Sequence, residues 1–184
     1  MACIKKITAD ITYDCGNLSD VGGLGEIDEA IILNSSDISS ISEANGVGTV
    51  TMITGTRGYI INSVNNSVMY QEAIKVNDTV PAAEDQSIII KMMAGPEPGS
   101  SSTGYRNRIV ELLGGNFRVA FKDKSGLKYY LAGAFCGLEA SDLTSDSSTG
   151  GISTVTLKTP EASTGDRLIT IAKADYDGLK IPKA

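Results

Sequence analysis

Histidine is absent from all 184 residues. That removes the usual general base near neutral pH, the Ser-His-Asp and Cys-His nucleophile systems, and His-ligated zinc. Tryptophan is absent too, and phenylalanine occurs 3 times, which supplies a sugar-stacking platform or an aromatic nucleic-acid surface poorly. Cys3, Cys15 and Cys136 are odd in number and form no CxxC pair. Neither a zinc site nor a disulfide framework is suggested, and buried thiols in a reducing cytoplasm are expected. No run approaches the roughly 18 apolar residues of a membrane span. The start, "MACIKKITADITYD", has two lysines and no apolar run behind them, so no signal peptide is expected.

Nucleotide and metal motifs are also missing. "GGLGE" (Gly22 to Glu26) lacks the third glycine of a dinucleotide loop, and the "IDEAIIL" that follows reads as strand. "GVGTVTMITGTRG" contains no GK[ST] and is no P-loop of the usual kind. "DLTSDSSTGG" holds Asp142 and Asp146 without the acidic spacing of a calcium loop. Carboxylates are plentiful, yet no spacing singles out two as acid and base. The expectation is a protein that is not an enzyme, with no cofactor and no metal.

What is present is ordinary folded-protein material: 41% hydrophobic and 21% charged residues, enough for one domain with a proper core. Sixteen basic against 22 acidic residues give a net charge of -6, a field that repels nucleic acid. Short β-type runs separated by Gly, Asn and Ser dominate. They fall at 4–13, 27–33, 49–54, 59–64, 72–76, 87–93, 117–122, 127–132, 153–159 and 167–173. Strands at this spacing point to a mainly β fold, a sandwich or partly open barrel. No period of about 20 to 50 residues repeats, which argues against a solenoid or propeller. "STVTLKT" alternates cleanly, whereas "IIIKMM" does not and should be covered on both sides.

One segment breaks the β rhythm. "YRNRIVELLGG" places Ile109, Leu112 and Leu113 at helical spacing, predicting a short flanking helix over about 105–113 that ends at Gly114. Two polar stretches, Ala94 to Gly104 and Ser141 to Gly151, read as long surface loops. In "FRVAFKDKSGLKYYLAG" the turn Asp123-Lys124-Ser125-Gly126 fits a type I turn closed by a glycine bulge. That register pairs Phe121 with Tyr129 and Val119 with Leu131, one apolar face. The other face sets Lys122 opposite Lys128, with Arg118 beside Ala132. Two facing lysines are mildly destabilising, so they reach into water or meet an acidic neighbour.

The order from "NRIVELLGG" through "VAFKDKSG", a "GL" step, a Ser/Asp/Gly loop and "TVTLKTPE" resembles structural proteins of tailed bacteriophages, above all tail tube proteins. The resemblance covers about Arg106 to Glu161. It implies a β-sandwich or partly open barrel with one helix, related to the inner tubes of contractile injection systems. It further implies homo-oligomeric rings, usually of six, that stack into a channel. Partners would be further copies and other virion proteins, with viral DNA only in transit and no membrane. The location implied is the virion, assembled in the host cytoplasm. Candidate subunit-interface residues are Arg118, Lys122 and Lys128 on the hairpin, Pro96, Glu97, Pro98 and Ser101 in the first loop, and Asp142 and Asp146 in the second. A neck ring or head decoration protein, or a monomeric ligand-binding β-domain, are the alternatives left open by the residues.

Overall fold

Along β1 (Ile27–Asn34) the run Ala30-Ile31-Ile32-Leu33 is buried at every position. Consecutive strand residues point to opposite faces, so this continuous apolar run must be covered on both sides. The rest of the chain supplies the two covers. The computed structural model describes residues 27–62, 68–77, 80–93, 111–123, 128–146, 152–160 and 166–183. The further strands are β2 (Ile38–Ala44), β3 (Val47–Met52), β4 (Tyr59–Asn62), β5 (Val68–Asn77), β6 (Val80–Met93) and β7 (Asn116–Asp123). Then come β8 (Tyr129–Ala132), β9 (Leu138–Asp146), β10 (Ile152–Lys158) and β11 (Ile169–Ile171). One short helix, α1 (Lys173–Gly178), follows, and single 3-10 turns lie at Ser35–Asp37 and Leu112–Gly114.

The eleven described strands belong to one sheet that does not close into a barrel. It forks at β7. One edge of β7 is lined by β1 along its length. The other edge is shared: β8 takes Val119 to Lys122 and β9 takes Asn116 and Phe117. One branch continues β8-β11-β3-β2, the other β9-β10-β6-β5, and β4 hangs on the far edge of β1.

The fork folds the sheet into a sandwich. Ala30, Ile32, Val119 and Phe121 pack against Val68, Ile88, Ile90, Leu138, Val155 and Leu157 of the second branch. Ile31, Leu33, Ala120, Leu131, Ile169 and Ile171 form a separate cluster on the opposite side, capped by Tyr176 and Leu179 from α1 and its C-terminal turn. Each large side chain so buried contributes about 1.5–3 kcal/mol. α1 has only six residues and would not form alone in water. Tyr176, fully buried with its hydroxyl 3.0 Å from Glu29 Oε1, fixes it to β1.

The fold class expected from the sequence, mainly β with a sandwich and one short helix, is the one observed. Several elements differ from expectation. Only residues 111–114 of the expected helix are described; they form a helical turn with Leu112 buried and Leu113 exposed. A described α-helix lies at Lys173–Gly178, where the sequence reading ran a strand on to residue 173. The expected loop from Ser141 is strand β9 as far as Asp146. β2 was not expected; it joins β3 through Asn45-Gly46, both left-handed at φ 54° and 78°, the backbone demanded by a two-residue hairpin turn.

The β7–β8 register also differs by one. Phe121 pairs with Tyr130, Lys122 with Tyr129, and Val119 with Ala132. The expected register rested on one face of the hairpin being wet. Both are dry: Phe121 and Val119 serve one cluster, Tyr129 and Leu131 the other. Residues 124–127 then connect Asp123 to Lys128, whose backbones bond at 3.3 Å.

Candidate functional site

The basic hairpin face resolves into three unrelated environments. Arg118, half-buried, donates from Nη1 to Ser35 Oγ and, at 3.1 Å, to Asn116 Oδ1. Burial pushes its guanidinium below the ordinary value, while the charge of Asp166 opposes the shift. Lys122 lies opposite Tyr129 on one side and Glu29 on the other, so an acidic residue of its own chain faces it. Lys128 is exposed beyond the strand end. Lys122 and Lys128 are therefore not opposed, and the positive cluster predicted from the sequence is not formed.

Asp142 and Asp146 sit on β9 rather than in a loop. Asp142 is exposed opposite Thr156, and Asp146 pairs with Ile152 across β10. Pro96, Glu97, Pro98 and Ser101 lie outside the described residues, as do Cys3 and Cys15. Cys136 is half-buried and not in a disulfide.

A polar centre that the sequence did not announce lies beside Arg118. Asp166, 2% exposed, accepts the N–H groups of Phe135 and Cys136 on one oxygen at 3.0 and 2.9 Å. Fully buried Gln86 accepts the Gly133 N–H at 2.8 Å, and its own backbone is bonded to Thr159. Two remote side chains thus grip one turn, Gly133 to Gly137. Gly137 has φ 75°, and a Cβ there would lie 2.0 Å from Asn116 Oδ1, so this position favours glycine. Burial raises the Asp166 carboxyl above the ordinary carboxylate value, offset in part by the Cys136 and Phe135 N–H groups. Burial also raises the Tyr70 hydroxyl, with help from the charge of Glu72. Phe135 stands out at the tip, 52% exposed, with the Arg167 guanidinium 5.9 Å from its ring centre and paired to Glu43. These contacts stiffen the β8–β9 connection. Among the described residues no three His, Cys, Asp or Glu converge on a metal position.

An open groove of about 540 Å³ runs past Asn34, Ser35, Glu111, Gly114, Asn116 and Phe117. Asn34 Nδ2 donates to Asp37 and Asn116 Nδ2 to Cys136 O and Glu139, so its amides are engaged within the chain.

The sheet edges differ more sharply. β2, at one end, faces solvent with Ser39, Ser40 and Ser42, beside the Glu43–Arg167 ion pair. β4 carries Tyr59 and Ile60, 53% and 48% exposed. β5 ends the second branch, and its hairpin with β6 outruns the neighbouring strand: β10 pairs with β6 from Ser87 to Met93, whereas β5–β6 pairing continues to Asn77 opposite Val80. Lys158 reaches Asp85 at 3.9 Å, close to the last point where β10 supports the hairpin.

Compared with protein-family models, with curated proteins and with solved structures, the chain has no significant match. No helix among the described residues is long and apolar enough to cross a membrane.

Proposed function

We propose that this chain is a virion structural subunit of the tail tube type, which assembles with copies of itself into stacked rings around a channel and has no enzymatic role. The observation that carries it is the sheet left open with its β5–β6 hairpin running past β10. A two-stranded ribbon is marginal by itself in water, and free edge groups are a template for another strand. An open sheet with a protruding hairpin is built to be completed from outside, while a closed barrel offers nothing to share. The likeness of residues 106–161 to tail tube proteins turns assembly in general into this assembly in particular.

The net charge of -6 suits a conduit, because each phosphate contact with Lys or Arg would add salt-dependent affinity for passing DNA. In this reading DNA traverses the channel without specific binding, and the partners are further copies and other virion proteins. The test is electron microscopy with sedimentation over a range of concentrations. Rings or tubes are expected. A species that stays at 19.2 kDa at every concentration contradicts assembly and favours a monomeric binding domain. Closed rings that never stack favour a neck ring.

A further inference from the structure

The three edges that are unpaired among the described residues are not equivalent. Natural sheets protect an exposed edge with charge, with proline or by keeping it polar and short. β2 is protected in this way, by its serines and the Glu43–Arg167 pair. β4 is not. Tyr59 and Ile60 are consecutive, so they point to opposite faces of the sheet, and both are about half exposed. Both faces of the strand start are open to this extent, and among the described residues only β1 pairs with it. Two more exposed apolar residues flank it: Ile53 at the end of β3, 44% exposed, and Ile181 in the C-terminal segment, 66% exposed. Backbone bonds from Gly55 to Lys183 and from Lys183 to Thr56 tie that segment to the loop entering β4. Arg57, 6.0 Å from the Tyr59 ring, is the charge at this edge.

We infer that β4, and not β2, is the edge on which a second copy of this chain docks, through a strand of its projecting β5–β6 hairpin. An unpaired strand edge calls for main-chain donors and acceptors, which a lipid surface or an apolar small molecule lacks. The hairpin supplies them: β5 has an outer edge that ends the sheet, and it runs beyond the support of β10. Charge agrees as well, since exposed Glu72 on β5 is matched by exposed Arg57 beside β4. Because the surface given differs from the surface received, the contact is head-to-tail, and it propagates or closes into a ring. This inference rests on the reading of a self-assembling subunit and names its contact.

The experiment compares the parent protein with Tyr59→Lys/Ile60→Lys and with Ser40→Lys/Ser42→Lys, measuring assembly by sedimentation and folding by circular dichroism. All four positions are exposed or half exposed, so both variants should melt within a few degrees of the parent. The β4 variant should assemble at least about tenfold less well, and the β2 variant as the parent does. A second pair, Ile60→Cys in one preparation and Gln71→Cys in another, should form an interchain disulfide when mixed under oxidation. Parent that assembles together with an equally competent β4 variant, or without that cross-link, overturns the edge assignment and leaves assembly standing. Parent that never assembles overturns both.

Discussion

Two hairpins of this chain use the same backbone and end in opposite situations. β7–β8 lies at the fork of the sheet, with Phe121 and Val119 buried on one side and Leu131 and Tyr129 on the other. β5–β6 lies at an end of the sheet, and its outer part has strand pairing without a third strand among the described residues. Their turns, at 78–79 and 124–127, lie outside the described residues, and what separates the two is position in the sheet. The first is held by side chains from both clusters, while the second, in the proposed reading, is completed by another copy.

Breaking the central hairpin should have the largest effect. Phe121 is fully buried, with the rings of Tyr70 and Tyr130 at 5.3 and 5.5 Å. Phe121→Ala should lower unfolding free energy by about 3–5 kcal/mol in a denaturant titration. Leu131→Ala tests the opposite face, with about 2–5 kcal/mol expected. A negligible loss at Leu131 would mean that the second cluster is loose. Tyr176→Phe removes the hydroxyl bond to Glu29 that pins α1 over that cluster and should cost about 1.5–3 kcal/mol. Shortening the outer hairpin, by replacing residues 75–83 with an Asn-Gly turn so that Ile74 still pairs with Glu84, should change stability by less than about 1 kcal/mol because such a ribbon is marginal alone. Assembly should nonetheless be lost.

The smallest expected effect is on pH dependence. The folded Asp166 carboxyl binds its proton more tightly than the unfolded one. Between the ordinary carboxylate value and that raised value, the native state holds more protons. Its contribution to stability is therefore full at low pH and declines as pH rises through the window. Asp166→Asn should flatten this slope in unfolding measurements between acid and neutral pH. An unchanged slope would assign the pH dependence to other groups.

The strands that were legible in the sequence are those with unbroken alternation or continuous apolar runs, such as Val155 and Leu157 in β10 and the "AIIL" of β1. β9 and β2 were not legible, and the cause is the same. In β9 the register slips between Thr156 and Leu157 of its partner, so Ala140 and Leu143 face inward three residues apart instead of two. In β2 a slip between Ile38 and Ser40 separates Ile38 from Ile41 in the same way. A bulge hides a strand from any period-two pattern. Asn45-Gly46 was a usable signal for the β2–β3 hairpin, since that pair marks a two-residue turn. The hairpin register failed for a tertiary reason, as nothing local says that α1 and β11 will cover its second face. The grip of Asp166 and Gln86 on the Gly133–Gly137 turn spans 30 and 47 residues at its closest bonds and leaves no local pattern.

Amide hydrogen exchange, read on both hairpins in dilute and concentrated protein, tests most directly whether the outer ribbon is completed by another copy. Residues 117–122 and 129–132 should be protected at every concentration. Residues 73–77 and 80–85 should exchange rapidly in the monomer and become protected in step with assembly. Equal protection of both hairpins in dilute monomer would contradict the account, because the outer ribbon would then be complete within a single chain.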